Sequence, residues 1–229
     1  MGQATLPGNP PIDVILKRSR RARRVSLRVS GLDGRVTLSI PATMPEREAL
    51  DFAAEKADWI RKHLAKRPAP SEPGQAGRVM FRGVDLALIP HPGRSARLDG
   101  ETLRVPQDAA RVTPALRAFL KEEARRALGE ASDRYAARLG VSYGRITLRD
   151  TRSRWGSCSS DGNLMYSWRL AMAPPEVLDY VAAHEVAHLR HMDHSPRFWS
   201  VVAGVCPGFD THRRWLRDNG AALHRYRFD

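Results

Sequence analysis

The chain has 229 residues, 38 Lys and Arg against 25 Asp and Glu, and a formal net charge of +13. With 42% hydrophobic and 28% charged residues it has the balance of a globular protein, long enough to bury a core in one domain or two small ones, and disorder over most of its length is excluded. No apolar run approaches the roughly eighteen residues that a membrane-spanning helix needs.

The N-terminus puts its charges after a short apolar run, the reverse of a secretion signal. Gly2 suits the start of a myristoylation signal, but Leu6 stands where Ser or Thr is required. Two cysteines, Cys158 and Cys206, imply no disulfide framework. The expectation is a cytoplasmic protein without a membrane partner. Lys17, Arg18, Arg20, Arg21, Arg23, Arg24 and Arg28 crowd one short segment. Such a run is either a solvated face or a footprint for DNA or another polyanion, and charge alone does not choose between them.

Residues 1–14, punctuated by Gly and Pro, are expected to be a flexible N-terminus. From Val25 the sequence reads as a hairpin: Val25, Leu27 and Val29 alternate with polar residues, Leu32-Asp33-Gly34 carries the turn, and Val36, Leu38 and Ile40 alternate on the return to Pro41. A helix follows over 44–67, capped by Thr43, with the stripe Leu50, Ala53, Ala57, Ile60 and Leu64. The hairpin and helix make up 15–67, and Pro/Gly-rich residues 68–77 read as a linker. The remainder, 78–229, opens with short strands turning at Pro92-Gly93 and Asp99-Gly100. A long helix then runs from a Thr113 cap to Leu139, stopped by Gly140. A second hairpin-like pair surrounds Asp161-Gly162, a helix spans 175–191, and a last helix covers 213–223. No internal repeat is visible. This order predicts an α+β fold, a small β-rich N-terminal portion followed by a more helical domain.

The informative stretch is His184-Glu185-Val186-Ala187-His188. On a helix, residues four apart share a face, so both imidazoles can reach one ion, with Glu185 beside them to take a proton from water. His194 is the third ligand by spacing, six residues after His188. A straight helix would carry it roughly 15 Å along the axis from His184, so the chain must turn back after 189–191. His191 is expected beside the site or at the surface, not as a ligand. A core histidine pair is disfavoured because two His and a Glu are costly to bury unpaired. A closed structural metal site would recruit thiolates, and Cys158 and Cys206 stand apart, so three nitrogens with an open fourth position read as catalytic.

Weaker signals cluster just upstream. Arg152, Arg154, Trp155, Tyr166, Trp168 and Arg169 are either ordinary strand packing or the wall of a cleft whose edge strand pairs with an extended peptide, with an Arg or Tyr for the oxyanion. Cys158 lacks a histidine partner that would make it a nucleophile. His63, His91, His212 and His224 are expected at the surface.

The residues Arg154-Trp155-Gly156-Ser157-Cys158, Trp168-Arg169-Leu170 with Ala173-Pro174, Tyr180-Val181, and His184 through His194-Ser195 to Phe198-Trp199 together resemble the YgjP-like metallopeptidase domain proteins, relatives of the SprT-like and Wss1-like zinc peptidases. The Arg-rich start, the hairpin ending at Pro41 and Trp59-Ile60 extend the resemblance over about 15–224. It implies a minimal zincin-like domain with the motif helix on a short sheet, one Zn2+ per chain on His184, His188 and His194, and Glu185 as general base. No Met-turn follows Met192, which sets the chain apart from metzincins.

The function expected on this basis is a zinc-dependent metallopeptidase acting on a peptide or protein substrate. The resemblance and the +13 charge together suggest nucleic-acid-associated proteins as targets. The competing expectation is a nucleic-acid-binding protein that uses the basic 17–28 segment, with a structural or vestigial metal site.

Overall fold

Alternation decides the first sheet. In the computed structural model, which describes residues 2–30, 34–65, 69 and 71–228, the chain divides into two compact units, Met1–Ala69 and Pro70–Asp229. The first holds strands β1 (Gly2–Leu6), β2 (Ile12–Ser19), β3 (Ser26–Val29) and β4 (Val36–Pro41), ordered β1-β2-β4-β3, followed by α1 (Glu46–Glu55) and α2 (Ala57–Ala65). β2 lies parallel to β4, and both outer pairs are antiparallel. Ile12, Val14 and Leu16 of β2 and Val36, Leu38 and Ile40 of β4 turn inward, and Ala49, Ala53 and Ile60 of the helices close over them. Every second residue therefore leaves water, which is what sets the register.

Two expectations change here and one holds. Residues 1–14 are not a loose end: β1 pairs with β2 and buries Leu6 and Ile12, and the Arg61 side chain donates to the carbonyls of Pro7 (3.0 Å) and Pro10 (3.2 Å) to hold the connection. The hairpin of Leu27 against Leu38 forms as read, with the turn residues Leu32 and Asp33 outside the described residues. The helix over 44–67 is broken at Lys56, and Pro45, without a side-chain cap bond, replaces Thr43 as its start.

The second unit opens with α3 (Pro73–Ala76) and a sheet of β5 (Arg78–Phe81), β6 (Val84–His91), β7 (Arg97–Asp99) and β8 (Thr102–Pro106), ordered β5-β6-β8-β7. Its pairing is again antiparallel, parallel and antiparallel. The first sheet's topology is thus repeated, with Leu103 of β8 at the buried position Leu38 holds in β4. No repeat is visible in the sequence because the side chains on the two outer faces differ. From the expected linker 68–77, Ser71 exchanges backbone hydrogen bonds with Arg225 and Arg227, and Pro73 is buried.

The long helix α4 (Ala109–Leu139) starts four residues before Thr113, because the Asp108 carboxylate accepts from the Ala110 N–H (3.0 Å). It ends as expected on left-handed Gly140. Leu116, Leu120, Ala124, Leu128 and Tyr135 make it the spine of the larger core. A three-stranded sheet β10-β11-β9 follows, with β9 (Ile146–Arg149), β10 (Gly156–Cys158) and β11 (Leu164–Ser167). After a 3-10 turn at Trp168–Met172 come α5 (Pro175–Ala187), α6 (Pro196–Val205) and α7 (Phe209–Leu223). The architecture is mixed α+β, as expected. The last helix begins at Phe209 instead of 213, and α6 was not read from sequence at all.

Candidate active site

The motif helix α5 is apolar on almost every side: Val177, Tyr180, Val181, Ala182, Ala183, Val186 and Ala187 are all buried. Burial on nearly all sides fixes its rotation, and His184, Glu185 and the C-cap residue His188 meet a cleft. The helix ends at Ala187, and a turn over 188–190 sends the chain back, as the position of a third ligand requires. Asp193 then accepts from the Ser195 N–H (3.2 Å), and the Ser195 hydroxyl accepts from the Phe198 N–H (3.5 Å) to start α6. His194 is held between these two local bonds.

One nitrogen from each of His184, His188 and His194 lies within 4.8 Å of the others, a group that could hold a metal ion. Nε2 of His184 and Nε2 of His194 are 3.1 Å apart. Two nitrogens at the usual zinc distance of about 2.0–2.1 Å in a tetrahedral shell are separated by about 3.3 Å, so the spacing fits. The His191 ring stays outside this group, but its carbonyl accepts from Nδ1 of His188 at 3.0 Å. A carbonyl can only accept, so His188 carries its proton on Nδ1 and offers Nε2 to the cluster. Nδ1 of His184 is buried with no partner, which leaves that ring's tautomer to whatever Nε2 binds. Burial, then the neighbouring imidazoles, push the His184 pKa down to about 3, so the ring is neutral at pH 7 as a ligand must be.

Phe198 forms the floor. Its ring stacks on His188 at 4.4 Å and meets His184 and His194 edge-on at 4.9 and 5.0 Å. The Ser195-Pro196 cap and the Phe198–Val202 spacing are the sequence signal for a helix here, and they place Phe198 beneath the three rings.

Glu185 faces β10, 5% exposed. Burial pushes its carboxyl up to about 8, against the opposing pull of the Arg154 guanidinium, and a cation held on the three neighbouring imidazoles would draw it back toward the carboxylate form that a general base needs. A Cβ on Gly156 would lie 2.5 Å from Oε1 and 2.6 Å from Cγ of Glu185, so the carboxylate occupies space that only glycine leaves free. A cleft of about 440 Å³ runs past Arg154, Gly156, Ser157 and Cys158 to His184, Glu185, His188 and His194. A second pocket of about 210 Å³, walled by Trp155, Tyr180, Val181 and Leu216, opens beside the same Glu185. β10 is an edge strand, and its outer side pairs with no strand among the described residues.

The upstream cluster divides in two. Arg154 is exposed, lines both cavities and has no ion-pair partner among the described residues, and Trp155 packs on Gly220 and His224. Arg169 is instead structural: in the 3-10 turn and not a strand, it is buried, grips Asp150 with two nitrogens (2.6 and 3.0 Å) and donates to the carbonyls of Leu223 and Tyr226. Tyr166 is buried against Ser132 (3.0 Å). Trp168 is 1% exposed. Burial, then Glu185, pushes the Cys158 thiol up, away from a thiolate. His224, expected at the surface, is half-buried beside Trp155, and burial takes its pKa down to about 4.

A three-histidine cluster at the end of a buried helix, a carboxylate beside it and an open strand edge along the cleft define a metal-site hydrolase architecture. The chain matches the family described as YgjP-like, metallopeptidase domain over residues 23–219, and it belongs to that family of metallopeptidases. No curated protein matches it. Among solved structures it is similar to the metallopeptidase zymogen of Pyrococcus abyssi abylysin, at 22% identity over 39% of this chain and 92% of that one, with a TM-score of 0.36, a likeness too slight to argue from. No described helix is long and apolar enough to cross a membrane.

Proposed function

We propose that the chain is a zinc-dependent peptidase that hydrolyses a peptide bond laid along β10, with His184, His188 and His194 as ligands and Glu185 as general base. The observation that carries this reading is the convergence of three imidazole nitrogens within 4.8 Å in the cleft that Glu185 lines. A zinc ion on these nitrogens would polarise the scissile carbonyl and acidify the attacking water. Glu185 would accept one proton of that water and pass it to the amine nitrogen as the C–N bond breaks, while the water oxygen stays on the new carboxyl group, whose remaining proton goes to the released amine or to solvent. Gly156 holds the carboxylate close to the strand edge, where an extended substrate can add its own backbone hydrogen bonds. Arg154 supplies positive charge at the junction of the two cavities, suited to a developing oxyanion.

The test is elemental analysis and peptide hydrolysis on three proteins: wild type, Glu185→Gln and His194→Ala. One zinc per chain in the first two, hydrolysis only in the first, and metal weakened in the third are expected. A Glu185→Gln variant that cleaved at the wild-type rate, or zinc indifferent to His194, would overturn the assignment. A second reading concerns the substrates: the basic segment of the first unit favours proteins held on nucleic acid.

A further inference from the structure

The first 69 residues carry fourteen Lys and Arg against seven Asp and Glu, a net +7 of the chain's +13. The structure sorts these cations. Arg18, near the start of the basic run, is committed internally: it donates to the carbonyls of Ala42 and Met44 (3.0 Å each) and pairs with Glu46 at the start of α1. Lys17, Arg20, Arg21, Arg23, Arg24 and Arg28 are exposed and have no ion-pair partner among the described residues.

Register places them together. With Val14, Leu16, Val36, Leu38 and Ile40 turned inward, the alternate residues form the opposite face. There Lys17, Ser39 and Ser26 stand in one row across β2, β4 and β3, and Ile15, Thr37 and Arg28 in the next. Arg20, Arg21, Arg23 and Arg24 fill the connection from β2 to β3 at the same end. Asp13 lies toward the other end, its carboxylate accepting from the Thr5 hydroxyl (2.8 Å).

The repeated topology supplies a control inside the chain. Aligned on Leu38 and Leu103, Ser39 corresponds to Arg104 and Arg28 to Asp99. In the second sheet these two neutralise each other at 2.8 Å, and Arg78 pairs with Asp85 at 2.9 Å. On that face Arg97, at the position of Ser26, also has no ion-pair partner among the described residues, whereas the first sheet leaves both Lys17 and Arg28 unpaired with the 20–24 arginines beside them. The face is rich in hydroxyls and its apolar residues, Ile15 and Pro41, are half-buried, so it offers phosphate contacts and little to insert into a lipid layer.

From this arrangement we infer that the outer face of the β1–β4 sheet, with Lys17, Arg28 and the 20–24 arginines, binds a nucleic-acid phosphate backbone. This deepens the second reading above and is independent of whether the cleft hydrolyses peptides. The test uses the full chain and a fluorescent random-sequence DNA duplex of about 20 base pairs, with anisotropy read between about 50 and 200 mM salt. Four or more neutralised phosphates predict a loss of affinity of about a hundredfold or more across that range. The double variant Lys17→Gln/Arg28→Gln should weaken binding at low salt at least tenfold. Arg78→Gln/Arg104→Gln, which removes the same charge from the paired sheet, should change it less than twofold, and Arg20, Arg21, Arg23 and Arg24→Gln gives an independent variant off the strands. No binding at low salt, equal losses in the two double variants, or equally variant-sensitive binding to phosphatidylserine vesicles would overturn the inference. Peptide hydrolysis measured on the same proteins keeps the two readings separate: it should not change.

Discussion

The α carbon of Gly156 lies so close to Glu185 that a single added methyl group would sit 2.5 Å from the carboxylate oxygen Oε1. The flexible end of a side chain, not backbone, is what it would meet. Gly156→Ala should therefore fold, keep its metal and displace the carboxylate. Hydrolysis should fall by about a hundredfold, on the scale of a lost general base, with zinc content unchanged. Elemental analysis beside kcat checks both halves.

The two arginines that looked alike in sequence should part in experiment. Arg169→Met strands the Asp150 carboxylate and two chain carbonyls, and should cost about 3–5 kcal/mol by denaturant unfolding. Arg154→Ala removes an unpaired surface charge and should leave stability within about 0.5 kcal/mol. Its effect should appear in kcat instead, with partial recovery in Arg154→Lys.

Phe198 is 0% exposed and touches all three imidazoles. Phe198→Ala should lose about 3–5 kcal/mol of stability through the cavity it leaves. The milder Phe198→Leu should remain folded and release its metal to a chelator faster than wild type. Equal release rates would show that the floor does not position the ligands.

His224 links the wall of the site to pH. Its pKa is lowered to about 4, first by burial and then by Arg169, with Asp150 opposing and Arg152 assisting. The unfolded chain then binds the extra proton first, so this contribution is full above about pH 6.5 and is lost as the pH falls toward 4, a change on the order of 1–3 kcal/mol. The difference in melting temperature between wild type and His224→Gln should therefore shrink or reverse on acidification. A constant difference from pH 7 to about pH 4 would rule this out.

Local spacing made much of the site legible. Two histidines four apart on a helix must share a face, and the third could be reached only by a turn, which the chain makes at 188–190. The fold class and the β3–β4 hairpin followed from alternation in the same way. Helix limits were less secure. Asp108 outcompeted Thr113 as a cap, and α6 was hidden because Ser195 and Pro196 read equally as a turn. The N-terminal strand was missed because Pro7, Gly8 and Pro10 resemble a loose end until Arg61, far along the chain, ties their carbonyls down.

By itself the sequence determined the chemistry available: which side chains could share an ion, which residue could move a proton, and how much positive charge the chain carries. Those properties depend on residue type and on neighbours a few positions away. Only the tertiary structure decided that Gly156 makes room for Glu185, that the His191 carbonyl sets the proton on His188, that Arg169 belongs to the core while Arg154 faces the cleft, and that Arg18 is spent internally while Lys17 and Arg28 share an open face. Apart from the His188–His191 bond, which the turn after α5 makes locally, each depends on a contact between segments distant in the chain, and such contacts are fixed by packing and register, which local pattern does not encode.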